Sequence, residues 1–335
     1  MKTERRTPAG FIKGMISLVV PTRNRPEDLT RLLGTVLHQS YSLLEVIVVD
    51  DSTNNLSRDL VHELVSVFDA QGFRLKYIRG TNQGLAGARN RGIAVSQAEY
   101  ILFVDDDITL EEKTVELIVS FLQSQPSVLG VQPFVVTPRP QGQFANAFHK
   151  SLWLSYCKPN TLAVRRSGRS VFPSALARTT YAQRLSGCCF CFRRDVFLRF
   201  EFDEELESYS YNEDLDFSFR VYKMHPNSLV ALPATSVRHN ESAEGRMTGG
   251  RLLRMKLAYN CYVFFKDFYD HSILNLLAYL YSLAGEAVEI LALALFDGPK
   301  PLVVLDLLTS HFFLLRNFDA LYRRSMVGVN KVLLS

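Results

Sequence analysis

Short apolar runs alternate with segments of helical periodicity over the first part of the 335-residue chain. The runs occupy residues 16–20, 46–49, 75–78 and 100–104, and Leu29, Leu32, Leu33 and Val36 mark a helical face between the first two. Apolar strands of this kind are buried on both faces, which is typical of a parallel sheet covered by helices. The alternation therefore predicts an α/β fold with a mainly parallel sheet flanked by helices.

Polar side chains follow each of these runs at the point where the chain leaves the predicted sheet. The polar clusters are residues 22–25, 50–52, 82–90 and 105–107. The carboxyl ends of parallel strands lie on one edge of a sheet, and ligands of open α/β sheets bind at that edge. We therefore expect the four clusters to line a single ligand-binding cleft.

The last cluster is a run of three adjacent carboxylates, Asp105, Asp106 and Asp107. Carboxylates this close repel one another unless a cation lies among them, and Mg²⁺ and Mn²⁺ bind oxygen ligands that they combine with substrate phosphates. A solvated acidic turn would have the same sequence. Because three other polar clusters are predicted on the same edge, we favour the metal site over the turn.

The clusters, taken in order, resemble the successive signatures of the family 2 glycosyltransferases, which have the GT-A fold. The matching segments are residues 17–25, 48–53, 82–92 and 103–107, and the later pair Glu213-Asp214 resembles the family's catalytic ED motif. The resemblance extends over about residues 15–239. It implies a Rossmann-like GT-A domain that moves a sugar from a nucleotide-diphospho-sugar to an acceptor hydroxyl with inversion, a UDP- or dTDP-sugar being favoured as donor.

The resemblance also implies a set of residues that bind the nucleotide sugar. Asp51 would accept a hydrogen bond from the N3–H of a uracil-like base; the alternative is that its cluster caps a helix, a role that can coexist with base recognition. Arg89 would lie near the phosphates at a helix N-terminus, with a surface ion pair as the alternative. The full set is Pro21, Thr22, Arg23, Asn24, Asp51, Asn82, Gly84, Arg89, Asp105 and Asp106.

For the cofactor, Mn²⁺ or Mg²⁺, the resemblance implies Asp107 as a ligand together with Asp105 and His239, although a single histidine is more often structural. The ion would neutralise the charge that develops on the departing diphosphate. Asp214 would be the general base that removes the acceptor proton, and Glu213 would help to orient it. A place near a helix N-terminus would favour the ionised form that a base requires.

Two other functions fit part of the pattern. Nucleotidyltransferases share this sheet topology, but they usually carry a glycine-rich loop and a lysine after the first strand, where residues 21–25 of this chain contain no glycine. A non-catalytic nucleotide-sugar-binding module would keep the fold, but it would have no physical need to cluster repelling carboxylates.

Composition and charge set the remaining expectations. A net charge of +4 and the absence of nucleic-acid-binding motifs argue against a nucleic-acid partner. Five cysteines, three of them in the apolar run at residues 188–191, are interpreted as core thiols of a reducing cytosol. The first fourteen residues show no secretory signal, so the predicted location is cytoplasmic, with the inner face of the plasma membrane as a narrower alternative.

The predicted organisation has four parts: an N-terminal tail at residues 1–14, a nucleotide-sugar-binding half at 15–135, an acceptor-binding and catalytic half at 136–245, and a helical C-terminal region at 246–335. Apolar segments at 273–296 and 302–315 predict helices, and Glu286 and Glu289 argue against a membrane span in the first. We expect these helices to contact either a membrane surface or a second copy of the chain. The acceptor would be a glycan or a lipid-linked molecule of cell-surface polysaccharide or glycolipid assembly.

Overall fold

The computed structural model describes residues 11–137, 142–242, 247–296 and 301–334. Its strands are β1 Ile12–Thr22, β2 Leu44–Asp50, β3 Arg74–Arg79, β4 Ala98–Val104, β5 Ile108–Leu110, β6 Gly130–Val136, β7 Tyr156–Cys157, β8 Ala163–Val164, β9 Ser170–Phe172, β10 Thr180–Tyr181, β11 Cys189–Arg193 and β12 Leu229–His239. All the strands expected from apolar runs are present. Strand β1 begins inside the predicted N-terminal tail, and the remainder of that tail, residues 1–10, lies outside the described residues.

The helices are α1 Pro26–Val36, α2 Leu56–Ala70, α3 Gly84–Val95, α4 Thr114–Ser124, α5 Gln143–Ser151, α6 Glu213–Met224, α7 Gly249–Val263, α8 Ile273–Phe296, α9 Pro301–Arg316, α10 Phe318–Tyr322 and α11 Val329–Leu334. A short 3₁₀ helix follows β11 at Arg194–Leu198, and α7 continues into a π-helical turn at Phe264–Phe268. The first four helices alternate with strands, as the sequence pattern predicts.

The central sheet has nine strands, eight of them in the order β10-β12-β6-β11-β4-β1-β2-β3, with β5 paired to β12. Strands β1 to β4 are parallel to their neighbours in this group, and β12 is parallel to β6. Strand β11 is antiparallel to both β4 and β6, so it joins the two parallel groups. The carboxyl ends of β1, β2, β4, β6 and β12 therefore lie on one edge, which positions the site.

Successive side chains of β1 point to opposite faces of the sheet, and each face has its own core. Leu18 and Val20 pack on one face against side chains of α1, α2 and α4. Val19 packs on the other face against α3 and α6. The prediction of a sheet covered by helices on both faces is confirmed. Cys188, Cys189 and Cys191 are buried free thiols of these cores, as expected.

The segment between β6 and β11 crosses the carboxyl edge of the sheet. It contains α5, a small sheet in the order β7-β9-β8, and β10, which pairs with the edge of β12. We call this segment the insertion; its residues 138–141 lie outside the described part.

Helices α7 to α11 form a third core beside the sheet, so the helical C-terminal region is confirmed. Residues Ile273–Ala292 of α8 form one helix long and apolar enough to cross a membrane by length and composition alone. The two carboxylates of α8 are paired with the insertion, Glu286 with Arg169 (2.5 Å) and Glu289 with His149 (2.6 Å). The side of α8 that carries these two carboxylates therefore packs against the segment between β6 and β11.

Candidate active site

A cleft of about 1400 Å³ opens at the carboxyl edge of the sheet, under the insertion. The predicted site residues that line it are Pro21, Thr22, Arg23, Asn24, Asp51, Gly84, Arg89, Asp105, Asp106, Asp107, Glu213, Asp214 and His239. Asn82 was also predicted to belong to the site, but it does not line the cleft. Its backbone N–H donates a hydrogen bond to Asp51 Oδ1 at 2.9 Å. Residues far apart in the chain thus converge on one cavity, because their strands end at this edge of the sheet and the helices α3 and α6 begin there.

The first two strand-end loops are tied to each other. The backbone N–H of Asn24 donates to Ser52 Oγ at 2.7 Å, and the N–H of Asp51 donates to the carbonyl of Thr22 at 2.9 Å. Asn24 has a φ of 56°, a left-handed conformation that asparagine tolerates better than most residues. The buried Asp51 carboxylate is therefore held at the end of the cleft where the resemblance implies a nucleoside pocket.

Asp105, Asp107 and His239 form the group of side chains best suited to a metal ion. One ligand atom from each residue lies within 4.8 Å of the other two, and the imidazole Nε2 is 3.2 Å from Asp107 Oδ1. Carboxylate oxygen and imidazole nitrogen are both donors that divalent ions accept. The predicted ligand set is thus brought together in space, and its chemistry fits a divalent ion.

Asp107 is buried and yet strongly stabilised as a carboxylate. Burial acts to raise its pKa, but the hydrogen bonds from His239 and the backbone N–H of Ser242, together with the charge of Arg25, hold the pKa at about 2. A carboxylate that stays ionised across the physiological range is suited to metal ligation.

Asp106 is turned toward the β1 loop. Its Oδ2 accepts a hydrogen bond from Thr22 Oγ1 at 2.8 Å, and its Oδ1 accepts one from the Arg25 guanidinium at 3.1 Å. Burial raises the pKa of Asp106 to about 6, against the opposing effects of Arg25 and Thr22. In this structure Asp106 joins the β1 and β4 ends of the cleft, and its direct contact with the donor stays a prediction.

The predicted catalytic carboxylate, Asp214, stands in the first turn of α6, which begins at Glu213. Its Oδ2 accepts hydrogen bonds from the backbone N–H of Gly187 at 2.8 Å and from the Arg184 guanidinium, and its Oδ1 accepts one from the N–H of Leu215 at 2.7 Å. Donors on three sides therefore fix the orientation of the carboxylate at the N-terminus of α6.

Arg89 has a different environment from the one expected of a phosphate-binding or surface residue. Its side chain is 0% exposed, and its guanidinium pairs with Glu213, lies 3.3 Å from Asp105 Oδ1 and donates to the carbonyl of Gly187 at 2.8 Å. Burial raises the pKa of Glu213, and the charge of Arg89 opposes that rise. Arg89 therefore joins the predicted metal group to the catalytic helix; contact with a phosphate stays a prediction.

The N-terminus of α3 is likewise occupied by protein. The backbone N–H of Leu85 donates to the carbonyl of Ser208 at 3.2 Å, and that of Ala86 donates to Ser210 Oγ at 3.3 Å. Gly84 begins the helix with a φ of +82°, and a Cβ there would lie 2.3 Å from the backbone nitrogen of Ser208. The glycine thus allows two backbone segments to meet, and its contact with the nucleotide sugar stays a prediction.

Gly84→Ala is expected to lower the free energy of unfolding by about 2 kcal/mol or more, because the new methyl group meets backbone and the positive φ is strained for alanine. Urea denaturation measures the change. Gly34→Ala is the matched control: Gly34 lies in α1, and a Cβ added there would meet no atom within 4 Å, so this substitution should stabilise the protein by up to ~1 kcal/mol. Equal effects of both substitutions would contradict this account.

Sequence reasoning missed three partners of the carboxylates. Arg25 belongs to the first polar cluster, but the sequence did not indicate that it would pair with Asp106. Arg184 lies in the insertion, where it is held in place by Ser170 Oγ at 3.1 Å and by the ring of Phe172 beneath it. The backbone N–H of Gly187 carries no sequence signal, since any residue but proline has the same group.

Comparison with known proteins agrees with this architecture. A family model described as Glycosyl transferase family 2 matches residues 17–199, which is more than half of the chain. An uncharacterized glycosyltransferase of Haemophilus influenzae is 33% identical over 115 residues, covering 34% of this chain and 36% of the relative. The Staphylococcus aureus poly(ribitol-phosphate) beta-N-acetylglucosaminyltransferase TarS is 25% identical over 300 residues, covering 88% of this chain and 44% of TarS. The chain therefore spans less than half the length of either relative.

Solved structures resemble the whole arrangement of strands and helices. A mannosyltransferase from Pyrobaculum calidifontis, in complex with GDP-Man and Mn²⁺, has a TM-score of 0.56 at 18% identity and covers 95% of this chain and 86% of its own. GalNAc-T7 with UDP, GalNAc and Mn²⁺ has a TM-score of 0.56 at 14% identity, with coverages of 81% and 55%. At these identities the likeness concerns the fold, and it confirms the predicted GT-A architecture. With the match to the family model, it follows that the chain belongs to glycosyl transferase family 2.

Proposed function

We propose that this chain is an inverting, metal-dependent glycosyltransferase that moves a sugar from a UDP- or dTDP-sugar to an acceptor hydroxyl. The observation that carries the proposal is the convergence of two separate acidic groups on one cleft. The group Asp105, Asp107 and His239 suits a divalent ion, and Asp214 stands on the far side of Arg89 from it. Membership of the family supports the same reaction class.

The donor would lie along the carboxyl ends of β1, β2 and β4. Asp51 would accept the N3–H of a uracil or thymine, because its Oδ1 is engaged by Asn82 and no described residue donates a hydrogen bond to its Oδ2. Asp105, Asp107 and His239 would hold Mn²⁺ or Mg²⁺, and the ion supplies charge neutralisation at the departing diphosphate. The mannosyltransferase and GalNAc-T7 structures, both described with Mn²⁺, support a divalent ion here.

Asp214 would take the proton of the acceptor hydroxyl as that oxygen bonds to the anomeric carbon. One base suffices for a direct displacement, since the bond to the diphosphate breaks on the opposite face of the sugar. The Gly187 N–H and the Arg184 guanidinium hold the carboxylate in orientation, and Glu213 acts on it indirectly through the backbone of α6. These contacts would keep the base in one orientation during proton transfer.

A donor-turnover assay with Mn²⁺ tests the proposal. A panel of nucleotide sugars is incubated with the protein, with and without chelator, and the products are separated. Metal-dependent release of nucleoside diphosphate is the expected result, from UDP- or dTDP-sugars before GDP-sugars. Release of pyrophosphate would instead indicate a nucleotidyltransferase, and the absence of both products with retained nucleotide binding would indicate a non-catalytic module.

The cellular setting belongs to the proposal as well. We infer a cytoplasmic protein at the inner face of the plasma membrane, with a glycan or lipid-linked acceptor from cell-surface polysaccharide or glycolipid assembly. The description of TarS as a poly(ribitol-phosphate) glycosyltransferase supports a cell-surface polymer as one class of acceptor. The basic residues of the insertion and of α7 that line the cleft, Arg184 and Arg251, are suited to an acceptor that carries phosphate.

A further inference from the structure

Helix α8 presents an outer face made of apolar side chains alone. Among the described side chains of this helix, those that are exposed are Ile273, Leu274, Leu277, Leu280, Tyr281, Ala284, Val288 and Leu291. Ile273 is 72% exposed and Leu274 63%. Its polar side chains face inward, where Glu286 pairs with Arg169. An exposed apolar surface of this extent is unusual for a protein that faces only water.

Helix α9, which packs beside α8, repeats the pattern. Among its described side chains, the large apolar ones that are exposed are Leu302, Val304, Leu305, Leu308, Phe312 and Leu315, of which Leu302 is 74% exposed and Leu315 72%. Its inner face carries Leu307, Phe313 and Leu314, which are buried. We refer to the exposed apolar residues of α8 and α9 named here as the outer apolar face.

The outer apolar face offers almost no hydrogen-bonding group to a partner. The Tyr281 hydroxyl donates to the carbonyl of Ser151 at 3.2 Å, and the Thr309 hydroxyl donates to the carbonyl of Leu305 at 2.8 Å. Protein–protein interfaces carry about one hydrogen bond per 100–200 Å². Lipid chains require none, so this chemistry favours a lipid surface over a second protein chain.

Positive charge follows directly at the C-terminal end of α9. Arg316, Arg323, Arg324 and Lys331 are exposed, and among the described residues from 301 onward Asp319 is the exposed carboxylate that opposes them. Arg323 pairs with Asp319 at 2.9 Å, which leaves a net positive charge. Basic groups beside an apolar helix face complement the anionic headgroups of a bilayer.

The same two helices are attached to the walls of the cleft. Arg169, the partner of Glu286 in α8, is adjacent to Ser170, which lines the cleft. On the other side, Gly250 of α7 lies against the carboxylate of Asp306 in α9, and its neighbour Arg251 lines the cleft. A bilayer in contact with the outer sides of α8 and α9 would therefore lie against helices that are themselves joined to the cleft walls.

We propose that α8 and α9 lie on an anionic lipid bilayer through the outer apolar face, and that the cleft receives an acceptor hydroxyl carried on a lipid. The contact with the bilayer does not depend on any enzymatic activity, whereas the lipid-borne acceptor rests on the proposed glycosyl transfer. The helices lie in the plane of the interface, because the ion pairs of Glu286 and Glu289 hold α8 along the domain.

Flotation of the full chain with lipid vesicles tests the binding. Vesicles of equal parts phosphatidylcholine and phosphatidylglycerol should carry the protein upward, and vesicles of phosphatidylcholine alone should carry much less. The variant Leu277→Glu/Leu308→Glu places charge on two exposed positions and should reduce binding at least ~10-fold. Val67→Glu, at a 43% exposed apolar position of α2, is the matched control and should bind like the unchanged protein.

Two further measurements separate the alternatives. Metal-dependent donor turnover in solution should be unchanged in the Leu277→Glu/Leu308→Glu variant, because neither residue lines the cleft. The proposal is overturned if the unchanged protein stays with the aqueous layer, or if light scattering shows a dimer that this variant abolishes. Vesicle binding by a protein that turns over no donor would leave the lipid contact intact and remove only the proposed transfer.

Discussion

Asp107→Asn is expected to abolish sugar transfer, by about 10³-fold or more, and to remove the metal dependence of nucleotide binding. The substitution keeps the size of the side chain and its capacity to accept the Ser242 N–H, but it removes the negative charge that the pKa of about 2 maintains. Transfer rates measure the first effect. Calorimetric titration with the nucleoside diphosphate, with and without Mn²⁺, measures the second.

The control for Asp107→Asn is Asp59→Asn, an exposed carboxylate of α2 whose pair with Arg58 lies outside the cleft. It should leave both the rate and the metal dependence unchanged, since exposed ion pairs contribute little. Thermal unfolding without metal should show that both variants fold. An Asp107→Asn protein that still gains nucleotide affinity from Mn²⁺ would exclude Asp107 as a ligand.

Asp214→Asn is expected to lower the turnover number by about 10²–10⁴-fold while the affinity for the donor stays within the error of measurement. An amide oxygen can still accept the Gly187 N–H, so the loop before β11 should hold its position, but the amide cannot take a proton from the acceptor. Initial rates at varied donor concentration separate the two parameters. The loss should appear in the turnover number and not in the Michaelis constant for the donor.

Together the two variants divide the cleft into a metal side and an acceptor side. Asp107→Asn should lose metal-dependent binding together with turnover, whereas Asp214→Asn should lose turnover alone. If Asp214→Asn retains full activity, Asp214 is not the base, and another carboxylate of the cleft has that role. If both variants lose nucleotide binding, the two sides are not independent, and Arg89, which contacts Asp105 and Glu213, is the connection between them.

Much of the donor half could be predicted because its signals are local. A strand that is covered on both faces is largely apolar, and a polar cluster at its end must leave the sheet, so β1, β2 and β4 and the loops after them could be located from the sequence. The edge strand β3, which is only partly buried, followed from the mixed run at residues 75–78. The pairing of Asp105 and Asp107 with His239 followed from the family resemblance, and the structure brings the three ligand atoms together. For the outer apolar face, the sequence predicted only two apolar helices. Which side of each helix is exposed depends on how the helix packs against the rest of the domain.

The sequence alone determined the chemistry available at the cleft: which carboxylates, amides and glycines stand at the strand ends, and in what order. The partners of these side chains, by contrast, depend on how the whole domain packs. Arg89, predicted to lie near the phosphates, is buried between Asp105 and Glu213, and Gly84, predicted to bind the nucleotide sugar, lies against the backbone of Ser208. For both residues, contact with the donor stays a prediction. The reason is physical: strand and helix patterns depend on neighbours in the chain, whereas ion pairs and close backbone contacts here join residues more than a hundred positions apart, whose approach is set by the packing of the whole domain.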